Sequence, residues 1–540
     1  MGTAAAGTTA LWLAGSRTAW AAPGTAPAAS GSRHTDPYEQ TVRDAAPTWR
    51  RLPADCQEAP FLANGYLGAQ LYAGRTADTL KLMISHSQVQ DQRGQWRGGI
   101  GFSRLPIGYF TLTLAGEITD VDWTLDPYDA ELRGTVTTTR GSLTISALVQ
   151  NDTGALLIST RPTPGEESAA WSFQWLRAAT TRSSGKPADY TPNPDPRVGD
   201  GFVEQPLLAG GGWSIAWRER SEGTGRLLAA HLVYRFPGQV TEATDEALRA
   251  VDRTLTVGPE KLVDRHRRWW HAYYRRNFLS VPDKRPQSFY LIQLYKLAAS
   301  TRAEGPTISE WGPWFPEIGN NWTAVWWNLN VQIGMAPIHG SNHPELDSVT
   351  NAFRHFEHNL PASVPAEYRD GESYALGHPS DWQPRAGDTY DVGAPGSDHI
   401  SDNFGNLTWA LHNVWQSYRH SMDLGVLRDV VYPILARAIN FYAHFLHEGP
   451  DEGALDHGPH RRTGRARAPA ALAGLRSGPD HGHPATRWHG GDHTARRASP
   501  GAGSARRAVE RDLDALGSAG LTETCARVPF RFVRPERRPV

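Results

Sequence analysis

The feature that most constrains this chain is a change of hydrophobic period near Pro259. Before it, apolar residues recur at every second position: Phe110, Leu112 and Leu114 alternate with Thr111 and Thr113, and Leu143, Ile145, Ala147 and Val149 keep the same spacing. Successive side chains of a strand point to opposite faces, so the pattern marks half-buried strands. Trp171, Phe173 and Trp175 repeat it, as do Trp213, Ile215 and Trp217, with Gly, Pro, Asn and Asp clusters between the runs. Many such strands in succession predict a large β-sandwich over residues 37–258.

Beyond Pro259 the spacing becomes helical. Leu262, His266, Trp269 and Tyr273 suit an amphipathic linking helix within residues 259–282. Leu346, Val349, Phe353 and Phe356 follow Pro344 and step by three and four residues, as one buried helical face does. The spacing recurs at Leu407, Leu411, Val414, Trp415 and Tyr418, and after Pro433 at Ile434, Leu435, Ala438, Tyr442 and Phe445. Successive helices with long loops predict a partial (α/α)6 barrel over residues 283–453, and the expected fold class is α+β multidomain. The loops at 304–327 and 366–402 are rich in Trp, Asp, His and Gly, and long ordered loops on such a scaffold usually form sites.

Both ends differ from this body. Residues 1–36 carry a short apolar run, an Ala19-Trp20-Ala21 cleavage pattern and a Pro/Ala/Ser-rich linker, which predicts an export signal and a secreted protein. The positive residues that precede such a run are missing, so a basic or twin-Arg segment is expected upstream. Residues 454–540 hold sixteen Arg and no Lys, with six His, no Ile and no Tyr. An Arg/Ala/Gly/Pro/His mixture is what GC-rich DNA encodes out of frame, so a frameshift near residues 449–456 and a disordered tail are expected.

The formal charge of −1, from 55 Lys and Arg against 56 Asp and Glu, offers no basic surface for nucleic acid. No stretch approaches the ~20 apolar residues of a membrane span. Two cysteines, Cys56 and Cys525, are too few for a disulfide framework or a thiolate metal site. His339, His343, His355 and His358 cluster, but no carboxylate completes a recognised metal set, and an exposed polar helix face is expected there. No metal or cofactor is expected. There is no phosphate-binding Gly-rich loop and no Gly-x-Ser-x-Gly elbow. Glu448, Asp451 and Glu452 read as a solvated Gly/Pro turn and are assigned no chemistry.

The chemistry-bearing segment runs from Gly305 to Leu346, and its heart is Trp327-Asn328-Leu329-Asn330-Val331-Gln332. Alternate residues of an extended segment share a face, which would aim Asn328 and Asn330 into one cavity with Leu329 packed behind; a helical start would weaken that reading. Trp311, Trp314, Trp322, Trp326 and Trp327 offer flat faces to sugar C–H groups, though aromatics also serve as packing.

This segment resembles glycoside hydrolase family 95, the inverting α-L-fucosidases, whose barrel has a Trp-rich loop leading into an Asn-x-Asn-x-Gln motif. Residues 61–74 (FLANGYLGAQLYAG) are similar to that family's early Asn-Gly-x-Leu-Gly-Ala strand, and residues 407–446 to its Trp-containing and Tyr-Pro helices. The resemblance implies that Asn328 and Asn330 act in catalysis by holding the attacking water, with Gln332, Trp311, Trp322 and Trp327 binding substrate, a terminal sugar of an oligosaccharide or glycan. Gly334-Met335-Ala336 and Trp415-Gln416-Ser417-Tyr418 depart from the family pattern, which leaves fucose or a related sugar open. The family's acid sits in a Ser-Pro-Glu motif soon after the Tyr-Pro helix and its Asp much later; this chain has neither, so impaired catalysis is expected. The alternatives are a non-catalytic carbohydrate-binding protein, and a phosphorylase or lyase on the same architecture.

Overall fold

The computed structural model describes residues 37–448 and 455–457, apart from 95, 97, 98, 184, 185, 316–318, 320, 321, 366, 367 and 387–404. The expected export signal, most of the expected tail, Asp451, Glu452 and Cys525 lie outside these residues. Among the described residues Cys56 forms no disulfide.

After a short helix α1 (Pro37–Arg43), fourteen strands form two antiparallel sheets. The first five are β1 (Thr48–Trp49), β2 (Phe61–Ala63), β3 (Leu67–Ala73), β4 (Thr79–His86) and β5 (Gly108–Thr113). Next come β6 (Ile118–Asp126), β7 (Glu131–Thr138), β8 (Ser142–Val149), β9 (Leu156–Pro162) and β10 (Ala170–Trp175). The series ends with β11 (Arg197–Gly199), β12 (Phe202–Pro206), β13 (Gly212–Glu222) and β14 (Gly225–Arg235). The nine-stranded sheet has the order β1-β6-β7-β8-β9-β14-β13-β12-β11, and the five-stranded sheet β10-β5-β4-β3-β2.

The sequence alternation fixes the inner faces. Phe110, Leu112, Leu82 and Leu71 from the smaller sheet share one core with Trp123, Val136, Ile145 and Ile158 from the larger. Two helices cover the outer face of the larger sheet. Helix α2 (Val240–Val257) lays Ala247 and Val251 on Ala216 of β13, and α3 (Pro259–Arg275) lays Leu262 and Val263 on Leu148, Leu157 and Ala229. That explains why Leu148 is buried although it lies on the face opposite Ile145. It also moves the start of the helical region back from Pro259 to Val240. The buried side of α2 is mostly Ala and Thr, yet the helix is amphipathic, with Leu248 and Leu255 packing beside Ala247 and Val251.

Helices follow: α4 (Lys284–Ser300), α5 (Leu329–Met335), α6 (Pro337–Gly340), α7 (Ser348–Phe356) and α8 (Asn406–Ser421). Then α9 (Leu424–Val426) runs through a π-helical turn into α10 (Tyr432–Phe445). The expected periodic residues are the buried ones: Val349 and Phe353 in α7, Leu407, Leu411, Val414 and Tyr418 in α8, Ile434 and Ala438 in α10. Asp347 caps α7 by accepting from the Thr350 amide, which fixes where that helix starts. Tyrosine hydroxyls tie α3 and α4 together and to the sandwich: Tyr273 donates to the Leu294 carbonyl at 2.8 Å and Tyr295 to that of Phe61 at 2.9 Å. No described helix is long and apolar enough to cross a membrane. Residues 442–540 form a separate unit, whose described part includes a hairpin of Leu446–Glu448 with Leu455–His457; Glu448 lies in its first strand.

An ion network locks α1 and α3 onto the β6–β7 turn. Arg43 pairs with Asp126 and Asp129, Arg133 with Asp129 at 2.8 Å, and His271 reaches Asp129 at 2.8 Å. Burial opposes the charge of Asp129, but hydrogen bonds from His271 and Arg133 and the positive field of Arg133 and Arg43 outweigh it, and its carboxyl is held well below the usual carboxylate range. An unfolded aspartate titrates near ~3.9, so this contribution to stability is complete above that pH and is lost as pH falls toward the lower native value. Calorimetry across an acid series should show the melting temperature falling below about pH 4. Asp129→Asn should lower it at neutral pH and flatten the acid limb; an unchanged limb would remove Asp129 as the cause.

Candidate functional site

The Trp-rich loop is pinned to the sandwich before it reaches the Asn-x-Asn motif. The hairpin of β2 and β3 carries two glycines that make room for it: Gly65, at φ +92°, lies against the Thr301 carbonyl carbon, and a Cβ on Gly68 would come within 2.5 Å of the Pro313 carbonyl oxygen. Ser85 donates to that same carbonyl at 2.6 Å and accepts from the Phe315 amide, while the Trp314 indole donates to Leu62. Arg104, 2% exposed, reaches the Gly312 and Pro313 carbonyls, and burial lowers its pKa to about 9. Its backbone amide donates to the Thr323 carbonyl at 2.7 Å.

The loop ends in strand β15 (Val325–Trp326), paired antiparallel with β16 (Pro379–Ser380). Trp327 follows, fully buried: its amide donates to the His378 carbonyl, its indole to Ser380 Oγ at 2.7 Å, and its ring stacks on Phe353 at 5.7 Å. Asp381, next to Ser380, is buried and bonded by Arg385 at 2.7 Å; burial outweighs that partner and raises its carboxyl above the usual range. A strap of the sandwich clasps the ribbon, with Gln90 donating to the Ser380 carbonyl and accepting from the Trp382 amide, and Gln92 accepting from Arg385.

Asn328 is where the chain turns from ribbon into helix α5, and it does so at φ +97° and ψ −106°. Asparagine tolerates the left-handed helical region, but this ψ lies outside it, in backbone space that suits glycine. Such a residue costs about 1–3 kcal/mol and persists only where its surroundings over-determine it. Here Trp327 on one side and the helix on the other supply the constraint.

The expected residues thus fall into separate environments. Asn328 and Asn330 are half-buried at the start of α5, and the extended geometry expected for them is replaced by a helix that leaves Leu329 56% exposed instead of packed behind. Gln332 is 2% exposed and links helices: its Nε2 donates to the Asn406 carbonyl, and Asn413 donates to its backbone carbonyl. Trp327 is core, so its ring is committed to Phe353 and does not wall a subsite. Trp322 is 44% exposed and meets Trp326 edge to face at 5.0 Å, beside Arg182 and His378. Trp311 is half-buried, and its buried indole nitrogen has no partner among the described residues. His339 and His343 do not form the exposed face expected of them: both are buried, facing Asp347 at 3.3 Å and Glu345 at 3.1 Å. No group of three or more possible metal ligands occurs among the described residues.

Arg104, Ser380 and Asp381 escaped the sequence reading. Asp381 lies in the loop flagged as site-forming, whereas a single Arg in a β-rich region carries no signal.

Residues 287–461 match the Glycosyl hydrolase family 95 catalytic domain, which bears out the resemblance over that stretch. The fold is similar to that of a solved structure described as a kojibiose phosphorylase from human microbiome, an (α/α)6-barrel enzyme, at 12% identity and a TM-score of 0.50, covering 78% of this chain and 58% of that one. A bacterial glucoamylase complexed with acarbose aligns at 11% identity and a TM-score of 0.33, covering 72% of this chain and 61% of that one. The chain therefore spans 58% of the length of the phosphorylase it matches. No curated protein matches the chain in sequence.

The strain at Asn328 gives a direct test. Asn328→Gly should stabilise the fold by about 1–3 kcal/mol in denaturant unfolding, because glycine adopts this conformation freely. A loss of stability would mean that the Asn328 side chain, and not its surroundings, holds the turn.

Proposed function

We propose that the chain is an exported glycoside hydrolase of the family 95 type, which removes a terminal fucose or related sugar from a glycan with inversion. Its helices α4 to α10 form part of an (α/α)6 barrel. The observation that carries this reading is the strained Asn328, set by a buried ribbon at the start of the Asn-x-Asn-x-Gln helix, inside the segment that matches the family 95 catalytic domain. Stored backbone strain clusters at functional sites, and an asparagine amide offers one acceptor and one donor group with which to orient a water.

Inversion requires a group that activates water on one face of the sugar and an acid on the other, ~6.5–9.5 Å apart. Asn328 and Asn330 hold the water on the first side; the Ser-Pro-Glu motif that would carry the acid does not occur in this chain, so its turnover is impaired. Trp322, the exposed aromatic of the Trp-rich loop, offers its face to the sugar, whereas Gln332 sets the helix that carries Asn330 against α8.

Proton NMR of a nitrophenyl α-L-fucoside reaction should show the β-anomer of the free sugar first. Asn328→Ala and Asn330→Ala should each lower kcat by roughly 10²-fold, the cost of misplacing a reacting group, and Asn330→Ala should do so with unchanged melting. Release of the α-anomer would overturn inversion. Saturable fucoside binding without turnover would convert the reading to that of a carbohydrate-binding protein.

A further inference from the structure

Strand β14 runs on past one of its neighbours. It pairs with β13 as far as Arg235 but with β9 only as far as Ala230, because β9 starts at Leu156. The stretch beyond Ala230 borders a cavity of about 500 Å³, closed by α2, α3 and the end of β4. His86, Gln88 and His231 line it from the sandwich, Arg253 from α2 and Arg265 from α3.

The two histidines are 7% and 5% exposed, yet each keeps one ring nitrogen that solvent can reach and that has no partner among the described residues. His86 Nδ1 accepts from the Gln88 amide at 3.3 Å, so Nε2 carries the proton and is open as a donor. His231 Nε2 meets the Thr254 hydroxyl at 2.8 Å, which leaves Nδ1 open. Burial, and then the positive field of Arg104, lowers the pKa of His86 to about 3; burial and then Arg253 lower that of His231 to about 4. Both rings are therefore neutral at ordinary pH. The two guanidiniums that act on them have no carboxylate partner among the described residues: Arg104 bonds to carbonyls and Ser309, and Arg253 is in no ion pair. Arg265 pairs with Asp152 at 3.6 Å, and the carboxylate of Glu246 in the wall is taken by Arg235. The cavity thus lies between two positive charges that lack counter-charges, with neutral hydrogen-bonding groups beside them. That combination favours a ligand with one ionised acceptor and several neutral ones.

We infer that this cavity binds one carboxylate-bearing sugar unit, with its carboxylate at Arg253 and His231 and its hydroxyls at His86 and Gln88. The Thr254 hydroxyl then donates to His231 Nε2, so that Nδ1–H is the donor to the carboxylate. The volume falls among those of small-molecule sites, ~300–1,000 Å³, and exceeds what a bare ion fills. The inference rests on the hydrolase reading for the ligand being a sugar, and on the charges alone for its being an anion.

Calorimetric titration of the full chain with glucuronate, glucose and inorganic phosphate tests the assignment. Glucuronate should bind with a Kd of about 1 mM. Glucose, which lacks the charge, and phosphate, which lacks the ring hydroxyls, should each bind about tenfold more weakly. Arg253→Gln should weaken glucuronate binding about tenfold with melting unchanged, because Arg253 is exposed and in no ion pair. Ala250→Phe, at a half-buried position in the wall, should block binding by filling the cavity. No glucuronate binding by the parent chain, binding unchanged in both variants, or glucose or phosphate binding as tightly as glucuronate would each overturn the inference. Absence of fucoside turnover with Arg253-dependent glucuronate binding intact would sink the hydrolase activity and spare this site; turnover with binding indifferent to Arg253 and Ala250 would do the reverse.

Discussion

A buried guanidinium organises the region that carries the candidate site. Arg104 gives up its hydration inside the sandwich and recovers hydrogen bonds from the Gly312 and Pro313 carbonyls and Ser309, with the Phe315 ring 4.9 Å from its charge. An isolated buried cation would cost several kcal/mol, and its lowered pKa records how incompletely carbonyls replace water and a counter-ion. A planar fork bonded to successive carbonyls of one loop leaves that loop little freedom of register. The same residue's backbone holds Thr323, so two points of the Trp-rich loop, Gly312–Pro313 and Thr323, are referenced to a single residue of the sheet domain.

From that point the constraint passes along the chain. The loop delivers β15 to β16, the ribbon buries Trp327, and burying Trp327 leaves Asn328 no relaxed way to begin α5. The glycines of the β2–β3 hairpin belong to the same device, since a side chain at Gly68 would push the Pro313 carbonyl away from Ser85. The early glycine-containing strand and the distant Asn-x-Asn motif are therefore parts of one arrangement, although more than 240 residues separate them.

What was legible in the sequence was whatever depends on periodic burial. The strands β5, β8 and β13 and the helices α7, α8 and α10 are amphipathic over enough residues for their pattern to stand out. Helix α2 is amphipathic too, but its inward side is built mostly of Ala and Thr and not of the large apolar residues that mark the other helices. The two-residue ribbon was hidden for a different reason: β15 and β16 are held by each other, by Gln90, and by Arg104 through Thr323, and no local window contains those partners. The motif's composition was readable, but the backbone conformation of Asn328 was not, since it is imposed from outside the motif. The tryptophans show the same limit, since composition counts rings and only packing decides that Trp327 faces Phe353 while Trp322 faces solvent.

The placement of Asn328 and Asn330 bears on how an amide can serve in hydrolysis. Neutral side chains are weak bases, so their contribution must come from holding a water in one position and not from proton affinity. Such holding is effective only if the amide itself cannot wander, and an exposed loop asparagine would. Here Asn328 is fixed by a strained backbone between a fully buried tryptophan and a helix, and Asn330 by that helix, which Gln332 bonds to α8 at Asn406. The rigidity that makes Trp327 and Gln332 poor candidates for touching a sugar is what makes the two asparagines good candidates for positioning a water. The core and the site are in this sense one structure, with the strain at Asn328 marking the boundary between them.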